Sequence, residues 1–228
     1  MIDLNLYKNK VYSQDGEDGM INKFFAELNI ESGWYCEFGA TDGYMVSNTR
    51  CLREKGWKGV LIEGNPDFYA QMSKSLGNNP NLFLFEKYVS NEEGEKLDEI
   101  LSSSPIVENF DLLSIDIDGN DLWVWESMIK YSPKLVIVEY NSNFDSESSL
   151  TIQYDKNHRH NDDDYFGATV GAFNKLAVSK GYDLIGYTQC LNLFFAKKEF
   201  SFPFKKYSPR DIIMQRGHRP SGKNLIIY

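Results

Sequence analysis

Short apolar runs alternate with amphipathic stretches along most of the chain. Residues 34–38, Trp-Tyr-Cys-Glu-Phe, break abruptly into Gly39, Ala40, Thr41, Asp42 and Gly43. This pattern predicts a buried strand that delivers the chain into a tight turn, where glycine tolerates positive φ and lets backbone approach a ligand. Further apolar runs at 59–63, at 82–85 with an extension to Val89, at 110–117 and at 135–139 predict four more strands. The last two are apolar at consecutive positions, as expected for central parallel strands covered on both faces. Between the strands, Met20, Ile21, Phe24, Phe25 and Leu28 fall at helical spacing, with Glu17 and Asp18 in the first turn where acids suit the macrodipole. Ser47, Asn48 and Thr49 offer cap chemistry for a short helix running through Cys51 and Leu52 to Lys55. Asn65-Pro66 opens a helix over 67–76, and a charged helix is predicted at 95–101. Leu122, Trp123, Trp125 and Met128 mark a helix closed off by Pro133, and Val170, Phe173, Leu176 and Ala177 mark one over 167–180 that Gly181 ends. Residues 182–187 and 190–196 predict an antiparallel final hairpin. Residues 142–166 are polar and irregular, and a loop that long is usually functional or disordered.

The alternation of strand and helix predicts an α/β fold with a doubly wound, mostly parallel sheet. Right-handed crossovers bring the strand exits to one edge. The expected organisation is a single domain over 1–228: a helical cap at 1–30, a core at 31–196 and a basic extension at 197–228.

A chain of 228 residues with 42% hydrophobic and 14% aromatic content can bury a full core. No stretch approaches the roughly 18 apolar residues of a membrane span, and residues 1–10 lack a signal-peptide pattern, so a cytoplasmic protein without a transmembrane segment is expected. Cys36, Cys51 and Cys190 show no paired spacing; Cys36 and Cys190 lie in strand-like runs and read as small buried hydrophobes. The net charge of −9 argues against a nucleic-acid partner. From Lys197 onward eight Lys or Arg stand against two acids, a stretch that either meets an anionic acceptor or is a solvated or subunit-facing tail of an oligomer.

Candidate chemistry collects at the strand exits. Glu63 lies about 20 residues beyond the glycine turn, where an acid accepts hydrogen bonds from a ribose. Asp116, Asp118 and Asp121 follow one apolar run, and Glu139 and Asn141 end another. Carboxylates gathered at one edge need compensation. A divalent metal, most simply Mg²⁺, held by Asp116 or Asp118 with Glu139 and Asn141 would supply it; the alternative is an acidic loop with helix-capping aspartates. The run 116–121 lacks the distal Glu of an EF-hand. His158 and His160 offer a general base if their loop folds over the site, and otherwise are exposed histidines. Neither a Gly-x-Ser-x-Gly elbow nor a P-loop is present.

The chain resembles the FkbM-type family of class I S-adenosylmethionine-dependent methyltransferases. The motifs that carry the resemblance are Ser13-Gln14-Asp15-Gly16-Glu17-Asp18, Glu37-Phe38-Gly39-Ala40-Thr41-Asp42-Gly43, Ser47-Asn48-Thr49, Gly56-Trp57 and Leu61-Ile62-Glu63, then the 114–121 run, Val138-Glu139-Tyr140-Asn141 and Tyr165-Phe166-Gly167-Ala168-Thr169. They stand in family order between residues 11 and 196. The resemblance implies a Rossmann-like seven-stranded sheet with an antiparallel last strand, and S-adenosylmethionine as cofactor. It implies that Glu37, Gly39, Ala40 and Gly43 hold the methionine part and Glu63 the ribose, while Gln14 closes the pocket and Asn48 and Asp116 complete the set. It is also similar to metal-dependent O-methyltransferases, with Asp116, Glu139 and Asn141 as the metal ligands, although Tyr140 separates the last two. The implied activity is O-methylation of a sugar hydroxyl in a small molecule or surface glycan, with Asp116, Asp118 and His160 as catalytic residues. Two alternatives stand beside it: a nicotinamide-dependent oxidoreductase, against which the missing Gly-x-Gly-x-x-Gly counts, and a non-catalytic adenosine-binding or assembly protein.

Overall fold

The computed structural model describes residues 1–212 and 220–228; Arg216 and Arg219 of the basic C-terminal stretch lie outside the described residues. The main sheet contains β1 (Trp34–Phe38), β2 (Lys58–Glu63), β3 (Leu82–Glu86), β4 (Leu112–Ile115), β5 (Leu135–Glu139), β7 (Tyr182–Tyr187) and β8 (Asn192–Lys197). A two-residue β6 (Leu150–Thr151) pairs separately with β9 (Ile226–Ile227). Strand order is β3-β2-β1-β4-β5-β8-β7. Strands β1 to β5 pair in parallel, and β8 inserts antiparallel between β5 and β7. The order reverses between β1 and β4, the point where an open α/β sheet leaves a crevice beyond its strand exits.

Residues alternate between the two faces along each strand. Cys36, Phe38, Val60, Ile62, Leu113, Ile115, Val136 and Val138 pack on one side with α4 (Leu97–Ser102), α5 (Asp121–Ser127) and α6 (Val170–Ser179). Tyr35, Leu61, Leu112, Leu135 and Ile137 pack on the other with α1 (Glu17–Glu27), α2 (Arg50–Arg53) and α3 (Pro66–Leu76). The double winding expected from the apolar runs is therefore present.

Two local expectations change. Strand β3 ends at Glu86 rather than reaching Val89, so Tyr88 and Val89 enter a loop at the sheet's edge. Cys190 is not in a strand; it is half-buried in the turn between β7 and β8 with φ of 61°. Among the described C-terminal cations, Lys205 pairs with Asp3 at 3.1 Å, Lys206 with Asp183 at 2.6 Å and Arg210 with Glu147 at 2.5 Å, all at the surface. Among the described residues no helix is long and apolar enough to cross a membrane.

Candidate active site

A cavity of about 510 Å³ opens at the exits of β1, β2 and β4. One wall carries Gly39, Thr41, Glu63 and Asn65; the other carries Asp116, Asp118 and Asn120. Gly39 has φ of 73°, and a Cβ there would collide with the carbonyl oxygen of Asp116. Only glycine lets the two strand exits come this close. The Glu63 carboxylate accepts the Thr41 amide at 2.7 Å and the Asn65 amide at 2.7 Å. It thus fixes both the glycine turn and the start of α3, whose N-cap Asn65 accepts from Asp67 and Phe68. Two carboxylate oxygens offer about four acceptor sites, so two remain for a ligand.

Glu37 has another task. Its carboxylate is buried and accepts from the Ser47 hydroxyl at 2.6 Å, the Asn48 amide at 2.8 Å and the Thr49 hydroxyl at 2.7 Å. Burial pushes its pKa up, and these three bonds work against that rise. Ser47 in turn accepts the Arg50 amide at 3.1 Å, while Thr49 at the N-cap of α2 gives its hydroxyl to Glu37 and makes no side-chain capping bond. Glu37 and Asn48 shape the backbone around the turn and do not line the cavity. Ala40 is buried, and Gly43 packs against Met72 and Leu76 of α3. Gln14 is exposed and does not line the cavity either: Asp18 accepts the amides of Val11, Tyr12 and Ser13 at 3.0, 2.9 and 2.8 Å, folding that segment onto α1. Of the expected cofactor residues, Gly39, Glu63 and Asp116 meet at the cavity.

The acids after β4 and β5 converge. One ligand atom from each of Asp116, Asp118 and Glu139 lies within 4.8 Å of the others. Burial and then the neighbouring charges of Asp118 and Asp121 push the Asp116 carboxyl well above the usual carboxylate range. Glu139 rises likewise, through burial, the charges of Asp116, Asp118 and Asp121, and a hydrogen bond with Asp118. Asp118 reaches the trio through a left-handed backbone, φ 51°. Asp121 holds that bend by accepting the amides of Ile117 at 2.9 Å and Gly119 at 2.8 Å, and burial leads in pushing its carboxyl up to about 6.

Asn141 departs from the expected metal set. Its Oδ1, the atom a cation would take, accepts two bonds from Asn143, at 3.0 and 3.1 Å. Its Nδ2 donates to the carbonyls of Asp164 and Phe166, both at 2.9 Å. The residue is buried as a brace for the 142–166 loop.

That loop folds over the strand exits. Asn120 donates to the Asp155 carbonyl at 2.8 Å, Trp123 to the Ile152 carbonyl at 2.9 Å, and Tyr154 to Glu92 at 3.2 Å. Lys156, His158, Arg159 and His160 consequently line the cavity opposite Tyr88. The Arg159 guanidinium lies 4.4 Å from the centre of the Tyr88 ring. His158 packs on Gly119, and its Nε2 lies 3.2 Å from the Asp118 carbonyl oxygen. A carbonyl only accepts, so this contact places the proton on Nε2 and leaves Nδ1 as the basic nitrogen. Burial lowers the His158 pKa, which favours that neutral form. His160, the expected catalytic histidine, also lines the cavity, its ring 5.0 Å from Phe166.

Phe68, Tyr88, Val89, Asn120, Lys156 and Arg159 are cavity residues that the sequence reading missed. Tyr88 and Val89 were within reach of the rule that ligands lie just past strand ends, had the end of β3 been placed correctly.

Strand order, double winding and the inserted antiparallel strand define the Rossmann-like fold of class I methyltransferases. Among solved structures, the chain is similar to the N-terminal domain of EvdMO1 in the presence of SAH and D-fucose, with a TM-score of 0.52 and 11% identity over 79% of this chain and 82% of that chain. The same domain with SAH bound gives a TM-score of 0.51 and 12% identity, covering 81% and 80%. No protein-family model matches the chain, and no curated protein matches it.

Proposed function

We propose that this chain is an S-adenosylmethionine-dependent O-methyltransferase acting in the cytoplasm on a sugar hydroxyl, in a small molecule or a glycan, as the FkbM-type resemblance implies. The observation that carries the reading is the single cavity in which Gly39 and Glu63 face Asp116 and Asp118 under a loop bearing two histidines. A similar fold solved with SAH and D-fucose supports both halves of it, cofactor and sugar.

Glu63 binds the ribose with its free acceptor sites, and Gly39 gives the cofactor access to the backbone. In the reaction an acceptor oxygen forms a bond to the methyl carbon, the sulfonium–methyl bond breaks to leave a thioether, and the hydroxyl proton passes to a base. His158 through Nδ1, or His160, takes that proton. Three hard carboxylate donors, with burial and mutual repulsion raising the pKa of Asp116 and of Glu139, fit a divalent cation. Asp116, Asp118 and Glu139 would hold it, and when bound it would make the acceptor hydroxyl more acidic. Lys156 and Arg159 favour an acceptor with anionic character.

Calorimetric titration with S-adenosylmethionine, repeated with Mg²⁺ and with chelator, tests the reading. Micromolar binding is expected. Absence of binding under every condition would return the chain to the nicotinamide and scaffold alternatives.

A further inference from the structure

The side-chain oxygen of Asn192, a residue paired across the sheet with Glu139, is buried without a hydrogen-bond donor. Asn192 stands on β8 directly opposite Glu139 on β5. Directly opposed residues of an antiparallel pair carry their side chains on one face, with Cβ atoms roughly 5 Å apart. Only 2% of Asn192 is exposed. Its Nδ2 donates to Glu17 Oε1 at 2.9 Å, which fixes which end of the amide is nitrogen, and Oδ1 meets no partner. Buried polar atoms left this way are rare enough to need a reason.

Glu17 is itself fully buried in α1 and held from three sides. It accepts the Asp15 amide at 2.8 Å and the Thr188 hydroxyl at 3.0 Å besides Asn192. The Asn192 amide is therefore set in one orientation by a carboxylate that is itself immobilised.

We propose that Asn192 supplies a fourth oxygen ligand to a divalent cation held by Asp116, Asp118 and Glu139, and that Glu17 is the positioning residue for its amide. The inference rests on the cation reading above. Three carboxylate oxygens and one amide oxygen form an all-hard donor set, which suits Mg²⁺ or Mn²⁺ and not a thiophilic metal. A neutral amide completes coordination without adding a fourth negative charge to a site already crowded with carboxylates. It fills the role that the sequence assigned to Asn141.

The test is titration of the purified full chain with Mn²⁺, followed by electron paramagnetic resonance, with neither cofactor nor acceptor present. Wild-type protein is expected to bind one Mn²⁺, and Asn192→Leu to bind it about 10-fold or more weakly, with Glu17→Gln weakened less. Thermal melts in chelator establish that each variant folds. Should Asn192→Leu fail to fold, the double variant Glu17→Gln/Asn192→Asp decides. It keeps the hydrogen bond with donor and acceptor exchanged, places a carboxylate at the site, and is expected to bind Mn²⁺ more tightly than wild type. Wild-type affinity in Asn192→Leu, or unchanged or weaker affinity in the double variant, overturns the assignment of Asn192 and leaves the cation reading standing. Failure of the wild type to bind Mn²⁺ overturns the cation reading, and the assignment with it.

Discussion

Glu63 and Thr41 are joined across the mouth of the sheet: the carboxylate at the end of β2 accepts the amide of the glycine turn at 2.7 Å while its other oxygen takes Asn65. A residue expected to bind a ribose is thus already part of the scaffold. Glu63→Ala leaves two backbone donors without an acceptor and is expected to destabilise the fold by about 1–3 kcal/mol. The same variant should weaken S-adenosylmethionine binding by about 10-fold or more, since charge-assisted bonds to the ribose are lost. Parallel denaturation and calorimetry separate the two effects, and unchanged cofactor affinity would remove Glu63 from the binding site.

Asp116→Asn keeps the side chain's shape while removing an ionisable carboxyl from the trio. Turnover is expected to vanish, with cofactor affinity held within a few-fold. A fully active variant would sink the assignment of the acidic cluster.

Stability should respond to pH in a direction set by buried acids. Asp121 titrates near 6 in the folded chain against an ordinary 3.8, so between these values the folded state keeps a proton that the unfolded state has released. Its stabilising contribution is complete below about 3.8 and is lost as pH rises through about 6. Asp116 and Glu139, also raised, act in the same sense. In chelator the melting temperature is expected to fall between about pH 4 and pH 6. Mg²⁺ should recover more of it at the upper end than at the lower, because a bound cation stabilises the ionised carboxylates. A melting temperature flat across this range, with and without Mg²⁺, would contradict both the raised pKa values and the cation.

Asn120 anchors the loop above the cavity through two bonds with Asp155, one donated at 2.8 Å and one accepted at 3.3 Å. Asn120→Ala should release residues 153–163 while leaving the sheet intact. The expected readout is faster limited proteolysis within that segment, with little change in global unfolding. Equal protection in the variant and the wild type would show that the Trp123 and Tyr154 contacts suffice.

The sheet was legible because β1, β2, β4 and β5 are buried on both faces, which forces consecutive apolar positions that no solvent-facing strand carries. Gly39 was legible for the same kind of reason, as a strand exit that needs positive φ. Side-chain direction was not. Glu37, one residue before the end of β1, and Glu63, the last of β2, both lie at strand exits, yet one turns onto Ser47, Asn48 and Thr49 and the other faces the cavity. Asn141 and Asn192 were indistinguishable as isolated amides. Only the register of β8 against β5 puts Asn192 opposite Glu139, and the predicted hairpin does not by itself say which of its strands lies next to β5 or in what register. Gln14 was expected at the pocket, but the turn that Asp18 imposes on residues 11–13 is set by backbone amides, which leave no mark in residue type.

The insertion of β8 between β5 and β7 also governs when the molecule can be completed during synthesis. Edge strand β7 reaches the sheet only through β8, which follows it in the chain. Glu17 finds Thr188 and Asn192 only after more than 170 further residues have been added. Until then its carboxylate belongs in water, so α1 can seat on the sheet only when the last hairpin has emerged. A nascent chain halted before residue 188 should therefore expose the apolar side of α1, with Phe24 and Phe25, to chaperones or to aggregation.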